Sequence, residues 1–167
     1  IAAVDGIVPD KCVRAVAQRF TGVEHRIELV RELDGVKYYN DSIGTSPTRT
    51  MACLDSFDQK LILIAGGYDK GVPFTQLGAA IAEKVKVLVL NGATAPAIRQ
   101  AVEEAGGFPD RGLRILEADC LSSAVSAARQ AARPGDVVVL SPACAAFDQF
   151  KNFMERGQAF KDLVAAL

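Results

Sequence analysis

The chain has no tryptophan and a single histidine, His25, among its 167 residues. One imidazole is too few for a histidine-built metal centre. The four cysteines, Cys12, Cys53, Cys120 and Cys144, are scattered, and none forms the C-x-x-C pair that a zinc site or redox dithiol needs. Reduced thiols in a cytoplasmic protein are the expectation, with the cysteines acting as small apolar residues. Long apolar runs are missing too: Val85 to Leu90 and Val137 to Leu140 are strand-sized, and the N-terminus lacks a basic region followed by an apolar core. Nothing here is expected to target or span a membrane. Nor is there an excess of charge of one sign. The 19 basic and 20 acidic residues are interspersed, so no long-range field favours nucleic acid or an anionic surface. Neither the G-x-x-x-x-G-K-[ST] phosphate loop nor the G-x-G-x-x-G dinucleotide turn occurs. An anion bound by this chain must be held by local geometry.

What is present is an apolar content of 50%, enough for one compact domain with its own core. From Val36 onward, short β-branched runs alternate with amphipathic stretches, the pattern of strands joined by crossover helices. Strands are expected at Val36 to Tyr39, Lys60 to Ala65, Val85 to Leu90, Leu113 to Leu116 and Asp136 to Leu140, the last four buried on both faces. Helices are expected at about Pro47 to Phe57, Phe74 to Lys84, Ala95 to Ala105 and Leu121 to Arg133. Ser46-Pro47 reads as a start signal, with Ser46 capping the free amides, and Gly106-Gly107 as a stop. A last helix beginning near Phe147 would bury Phe150, Phe153, Phe160 and Val164 on one stripe. Arg26 to Leu33 and Val36 to Tyr39 form a hairpin turning at Asp34-Gly35. The fold class that follows is α/β: a Rossmann-like, mostly parallel sheet with helices on both faces and an N-terminal β-hairpin. Ahead of it, Lys11 to Phe20 reads as a separate helix broken by Thr21-Gly22, the cut end of an upstream domain.

In an open parallel sheet the ligand crevice lies beyond the carboxyl ends of the strands, and three of the loops there are unusual. Asn40-Asp41-Ser42-Ile43-Gly44-Thr45-Ser46 offers a carboxylate and hydroxyls suited to a sugar, or is an ordinary polar turn. Gly66-Gly67-Tyr68-Asp69-Lys70-Gly71 presents an ammonium that could pair with a carboxylate, or is a glycine turn with a solvated lysine. Ser141 to Asp148 leads into the last helix, so the amides around Ala146 to Asp148 would form its positive end and dock a ligand carboxylate. Against that, Asp148 would cap those amides itself, with Phe147 and Phe153 in the core. Arg26, beside His25, would meet a phosphate or stack on an adenine, or is a plain surface arginine.

Taken together, five ordered segments resemble the C-terminal domain of the Mur ligases that add D-glutamate: Phe20 to Arg26, Asn40 to Ser42, Gly66 to Lys70, Leu140 to Ala145 and Phe147 to Phe153, with Arg156-Gly157 beyond. The resemblance implies residues 22–167 as that domain and residues 1–21 as the last helix of a central ATPase domain missing from this chain. It implies an ATP- and Mg-dependent enzyme that phosphorylates UDP-MurNAc-L-alanine and lets the amine of D-glutamate attack the acyl phosphate, in peptidoglycan synthesis. It further implies that Arg26, Asn40 and Asp41 contact the nucleotide, and that Thr45 and Lys70 hold the side-chain carboxylate of D-glutamate. Ala146, Phe147 and Phe153 would surround the α-carboxylate. No catalytic residue and no metal ligand fall in this fragment, which alone is expected to be a monomer without activity or bound cofactor. Two departures stand out. Ile43 replaces a lysine common in relatives, and Ala146 stands where a serine often binds substrate. A Mur or folylpolyglutamate-type ligase adding another amino acid is therefore the nearest alternative. A free-standing nucleotide-binding module and a non-catalytic interaction module follow it.

Overall fold

A computed structural model describes residues 7–19, 22–106 and 112–167. Twelve elements are described: α1 (Asp10–Arg19), β1 (Glu28–Leu33), β2 (Val36–Asn40), α2 (Pro47–Asp55), β3 (Leu61–Ala65), α3 (Thr75–Lys84), β4 (Val85–Leu90), α4 (Ala95–Glu104), β5 (Arg114–Glu117), α5 (Leu121–Ala131), β6 (Val137–Leu140) and α6 (Phe153–Ala165). The hairpin, the four crossover helices and the five sheet strands fall where the sequence places them, within a few residues at each end. Of the expected signals, Phe20, Thr21 and Gly107 lie outside the described residues.

The six strands form one sheet in the order β1-β2-β6-β3-β4-β5. Only β1 runs antiparallel to its neighbour; the other pairings are parallel. Asp34 and Gly35, both at positive φ (52° and 74°), make the tight hairpin turn. The period of two in Leu61-Ile62-Leu63-Ile64-Ala65 splits β3 between two cores. Leu61, Leu63 and Ala65 pack with Leu54, Leu77, Ile81 and Ile98 from α2, α3 and α4. Ile62 and Ile64 pack on the opposite face with Val125, Ala128, Phe160 and Val164 from α5 and α6. Both faces of the sheet are thus covered, as a Rossmann-like arrangement requires.

Three expectations are corrected. β5 is not buried on both faces. It is an edge strand, and its residues are exposed or half-buried because it has a neighbour on one side only. Ser46 occupies the N-cap of α2 in extended backbone, but its side chain caps no amide; its hydroxyl pairs with Thr48 Oγ1 at 3.2 Å. The last helix begins at Phe153, not near Phe147. Asn152 is the better cap, its side chain accepting the Glu155 amide at 2.9 Å, and residues 146–150 form a separate turn closed by Phe150 N donating to Ala146 O at 2.8 Å.

None of the residues of α1 is buried. No helix among the described residues is long and apolar enough to cross a membrane.

Candidate functional site

From β3 the chain leaves toward α3 on one face, and from the adjacent β6 toward α6 on the other. Neighbouring parallel strands whose connections diverge open a crevice at their carboxyl ends. Here the crevice is bordered by the loops after β2, β3 and β6, the same three singled out from the sequence, and they are fastened to one another. Gly66 N donates to Pro142 O at 2.9 Å and Tyr68 N to Ala145 O at 3.0 Å. Lys70 Nζ donates to Thr45 O at 2.7 Å. Ser141 Oγ donates to Asp41 Oδ2 at 2.7 Å. The turns carrying Asp41, Lys70 and Ala146 therefore share one rim of the sheet.

The central fastener is a residue that the reading by loops passed over. Arg156, on the first turns of α6 and 4% exposed, sends Nε to Ser42 Oγ (3.0 Å), Nη2 to Ser42 O (2.9 Å) and Cys144 O (3.1 Å), and Nη1 to Ala145 O (3.1 Å). Burial lowers its pKa to about 10, and its partners are three carbonyls and a hydroxyl rather than a carboxylate. Thr94, after β4 and 1% exposed, acts similarly. Its hydroxyl accepts from Gly67 N at 3.0 Å and lies 3.1 Å from Cys144 Sγ. The signal for it was the polar Asn91-Gly92-Ala93-Thr94 stretch at a fourth strand end.

Each expected site residue has a definite place. Lys70 is exposed and Thr45 half-buried at the mouth. Ala146 is 2% exposed, whereas Phe147 is 65% exposed and meets Tyr68 edge-on, ring centroids 5.9 Å apart. Among the described residues no hydrogen bond uses the amides of Ala146, Phe147 or Asp148. Asp148 does not cap them; its carboxylate instead packs over Gly92. The feature expected to dock a carboxylate is thus a turn whose first amides take no partner among the described residues, not a helix end. Phe153 is half-buried and edge-on to the His25 ring, with centroids 6.1 Å apart.

Asp41 is 4% exposed and burial pushes its carboxyl above the ordinary range, against the lowering effect of Ser141. It lies in a cleft of about 300 Å³ that Arg26 and Ile27 also line. Asn40 is fully buried, its Oδ1 accepting from Ser42 N and its Nδ2 reaching His25 Nδ1, Glu28 Oε2 and Gly157 O. It fixes the segment that presents Arg26. Lys161 braces the same segment from α6, 2.9 Å from both Glu24 and Glu28, which supplies the counter-charge to the Glu24, His25 and Glu28 cluster. His25, Ile27 and Ala143 all hold positive φ (62°, 45° and 61°). Such backbone is costly for residues with a Cβ and gathers at functional rims.

The sequence model of the family described as Mur ligase, glutamate ligase domain, matches residues 25–144. The chain belongs to that family. It is 55% identical, over 99% of its length, to the UDP-N-acetylmuramoylalanine--D-glutamate ligase of Acetivibrio thermocellus, and 54% identical over 95% to the ligase of the same name from Symbiobacterium thermophilum. This Mur ligase domain covers 36% and 34% of those proteins, so it spans about a third of their length. Among solved structures, Mycobacterium tuberculosis folylpolyglutamate synthase complexed with ADP shares the fold, with a TM-score of 0.65 at 17% identity over 92% of this chain and 36% of that one.

Proposed function

We propose that this chain is the C-terminal, substrate-closing part of an ATP-dependent ligase that joins D-glutamate to UDP-MurNAc-L-alanine in peptidoglycan synthesis. The single observation that carries the reading is the shared rim, where an exposed ammonium and a set of free amides stand on loops fastened to one another. A dicarboxylate needs two separated anion sites, and this rim offers them. The two relatives named above are D-glutamate ligases by name at more than 50% identity, which favours D-glutamate over the amino acid of a folylpolyglutamate-type enzyme.

In this reading Lys70 and the Thr45 segment hold the side-chain carboxylate of D-glutamate, and the amides of Ala146 to Asp148 hold its α-carboxylate. Those amides are backbone, so Ala146 serves where a serine would add a hydroxyl. Held at both ends, the amine is aimed at an acyl phosphate formed on the other substrate at the expense of ATP. Nitrogen forms the new bond to the carbonyl carbon, inorganic phosphate leaves, and the amine gives up a proton. Fixing the geometry contributes on the order of 7 kcal/mol to such a step. Asp41 takes the ribose diol and Arg26 the charged or aromatic part of the nucleotide. The phosphate loop and magnesium ligands belong to the remaining two-thirds of the protein, and residues 1–21 are the end of that part.

The test is Lys70→Ala in a full-length ligase carrying this domain. KM for D-glutamate should rise by about tenfold or more, as loss of a charge-assisted contact implies, with KM for ATP nearly unchanged. Equal effects on both substrates would remove the assignment.

A further inference from the structure

One face of α2 is not accounted for by the amino-acid cradle. Arg49, Ala52 and Cys53, spaced i, i+3 and i+4, form a wall of the cleft that Arg26 and Asp41 line from the other side. Arg49 is exposed, and among the described residues its guanidinium makes one hydrogen bond, from Nη1 to Ile43 O at 3.3 Å. Neither Arg49 nor Arg26 is in a salt bridge among the described residues. A guanidinium carries five donors in a planar fork, so most of the donor capacity of Arg49 is unspent among the described residues.

The cleft thus has two arginines without a salt bridge among the described residues and one buried carboxylate. The carboxylate accepts from a vicinal diol but repels phosphate. The cations attract phosphate but have nothing to offer a neutral sugar beyond ordinary polarity. A ligand that satisfies all three must carry hydroxyls next to several negative charges, which describes a nucleoside polyphosphate better than a sugar or an amino acid.

We propose that Arg49 is a second nucleotide-positioning residue, gripping the phosphate end from α2 while Arg26 approaches from the opposite wall. The inference rests on the nucleotide reading of Asp41 and Arg26 given above and adds a contact from a different element. Because Ile43 accepts from Arg49, the same side chain ties the nucleotide cleft to the loop that carries Thr45. Nucleotide arrival can in this way order the amino-acid side of the rim.

The experiment uses a full-length ligase carrying this domain, with binding of adenosine and ADP measured by calorimetry beside the two KM values. Arg49→Ala should weaken ADP by about tenfold, the usual scale for a lost charge-assisted contact, and leave adenosine within about twofold. KM for ATP should rise in step, KM for D-glutamate should change little, and Arg49→Lys should recover part of the loss by restoring charge. Arg26→Ala is the control. If it weakens ADP while Arg49→Ala does not, the Arg49 assignment falls and the nucleotide reading stands; if neither does, both fall. Equal loss of adenosine and ADP, no recovery with lysine, or a lower Tm in proportion to the loss would make Arg49 a structural residue and overturn the proposal.

Discussion

Arg156 Nη2 donates to the carbonyl of Ser42 at 2.9 Å while its Nε donates to the hydroxyl of the same residue at 3.0 Å, joining α6 to a loop 114 positions earlier. The fork also takes up the carbonyls of Cys144 and Ala145. Arg156→Ala should lower stability in urea unfolding by about 2–4 kcal/mol, because buried carbonyls lose their donors. Arg156→Lys should recover little of this, since an ammonium keeps the charge but not the planar reach. A fall under about 0.5 kcal/mol would show that the loops are held otherwise.

Asp41 predicts a trade between stability and binding. Burial raises its carboxyl pKa in the folded state above that of the unfolded chain. The folded state therefore keeps the proton to higher pH, and the stability linked to that proton is complete in acid and lost as pH rises through the raised value. Asp41→Asn should consequently show a higher Tm than the parent near neutral pH. The gap should close as pH falls toward about 4, the ordinary carboxylate range. Nucleotide affinity should drop at neutral pH despite the added stability.

Two glycines of one loop should respond differently to alanine. Gly66 has φ +110°, and a Cβ there would strike the carbonyl oxygen of Asn91, which is backbone and cannot step aside. Gly71 has φ +68° with nothing within 4 Å of the same position. Gly71→Ala should cost about 1 kcal/mol, the strain of left-handed backbone alone. Gly66→Ala should cost about 3 kcal/mol or more, with loss of the paired turn. Thermal unfolding of the two variants side by side checks the difference.

The parts legible in the sequence were those written in local pattern. Alternation of Val, Ile and Leu with amphipathic stretches located the strands and crossover helices, and glycine, Asp and Lys at strand ends marked the three rim loops. What escaped depended on contacts far apart in sequence. Leu113 to Leu116 reads as apolar as the other strands, and only the sheet order reveals that β5 is an edge. Phe147 and Phe150 continue the apolar spacing of α6 backward, yet Asn152 is a strong cap and the helix starts after it. Asn40 reads as a polar residue at a strand end; its burial against His25 and Gly157 is a tertiary fact. Arg156 and Thr94 support the rim from α6 and from the loop after β4, outside the three loops singled out.

The most direct measurement is a crystal structure of a full-length ligase carrying this domain, closed on ADP and a D-glutamate-containing product. The account predicts the side-chain carboxylate within hydrogen-bond distance of Lys70 Nζ and the α-carboxylate on the amides of Ala146 to Asp148. A product whose carboxylates both lie away from this rim, on the other domains, would contradict it.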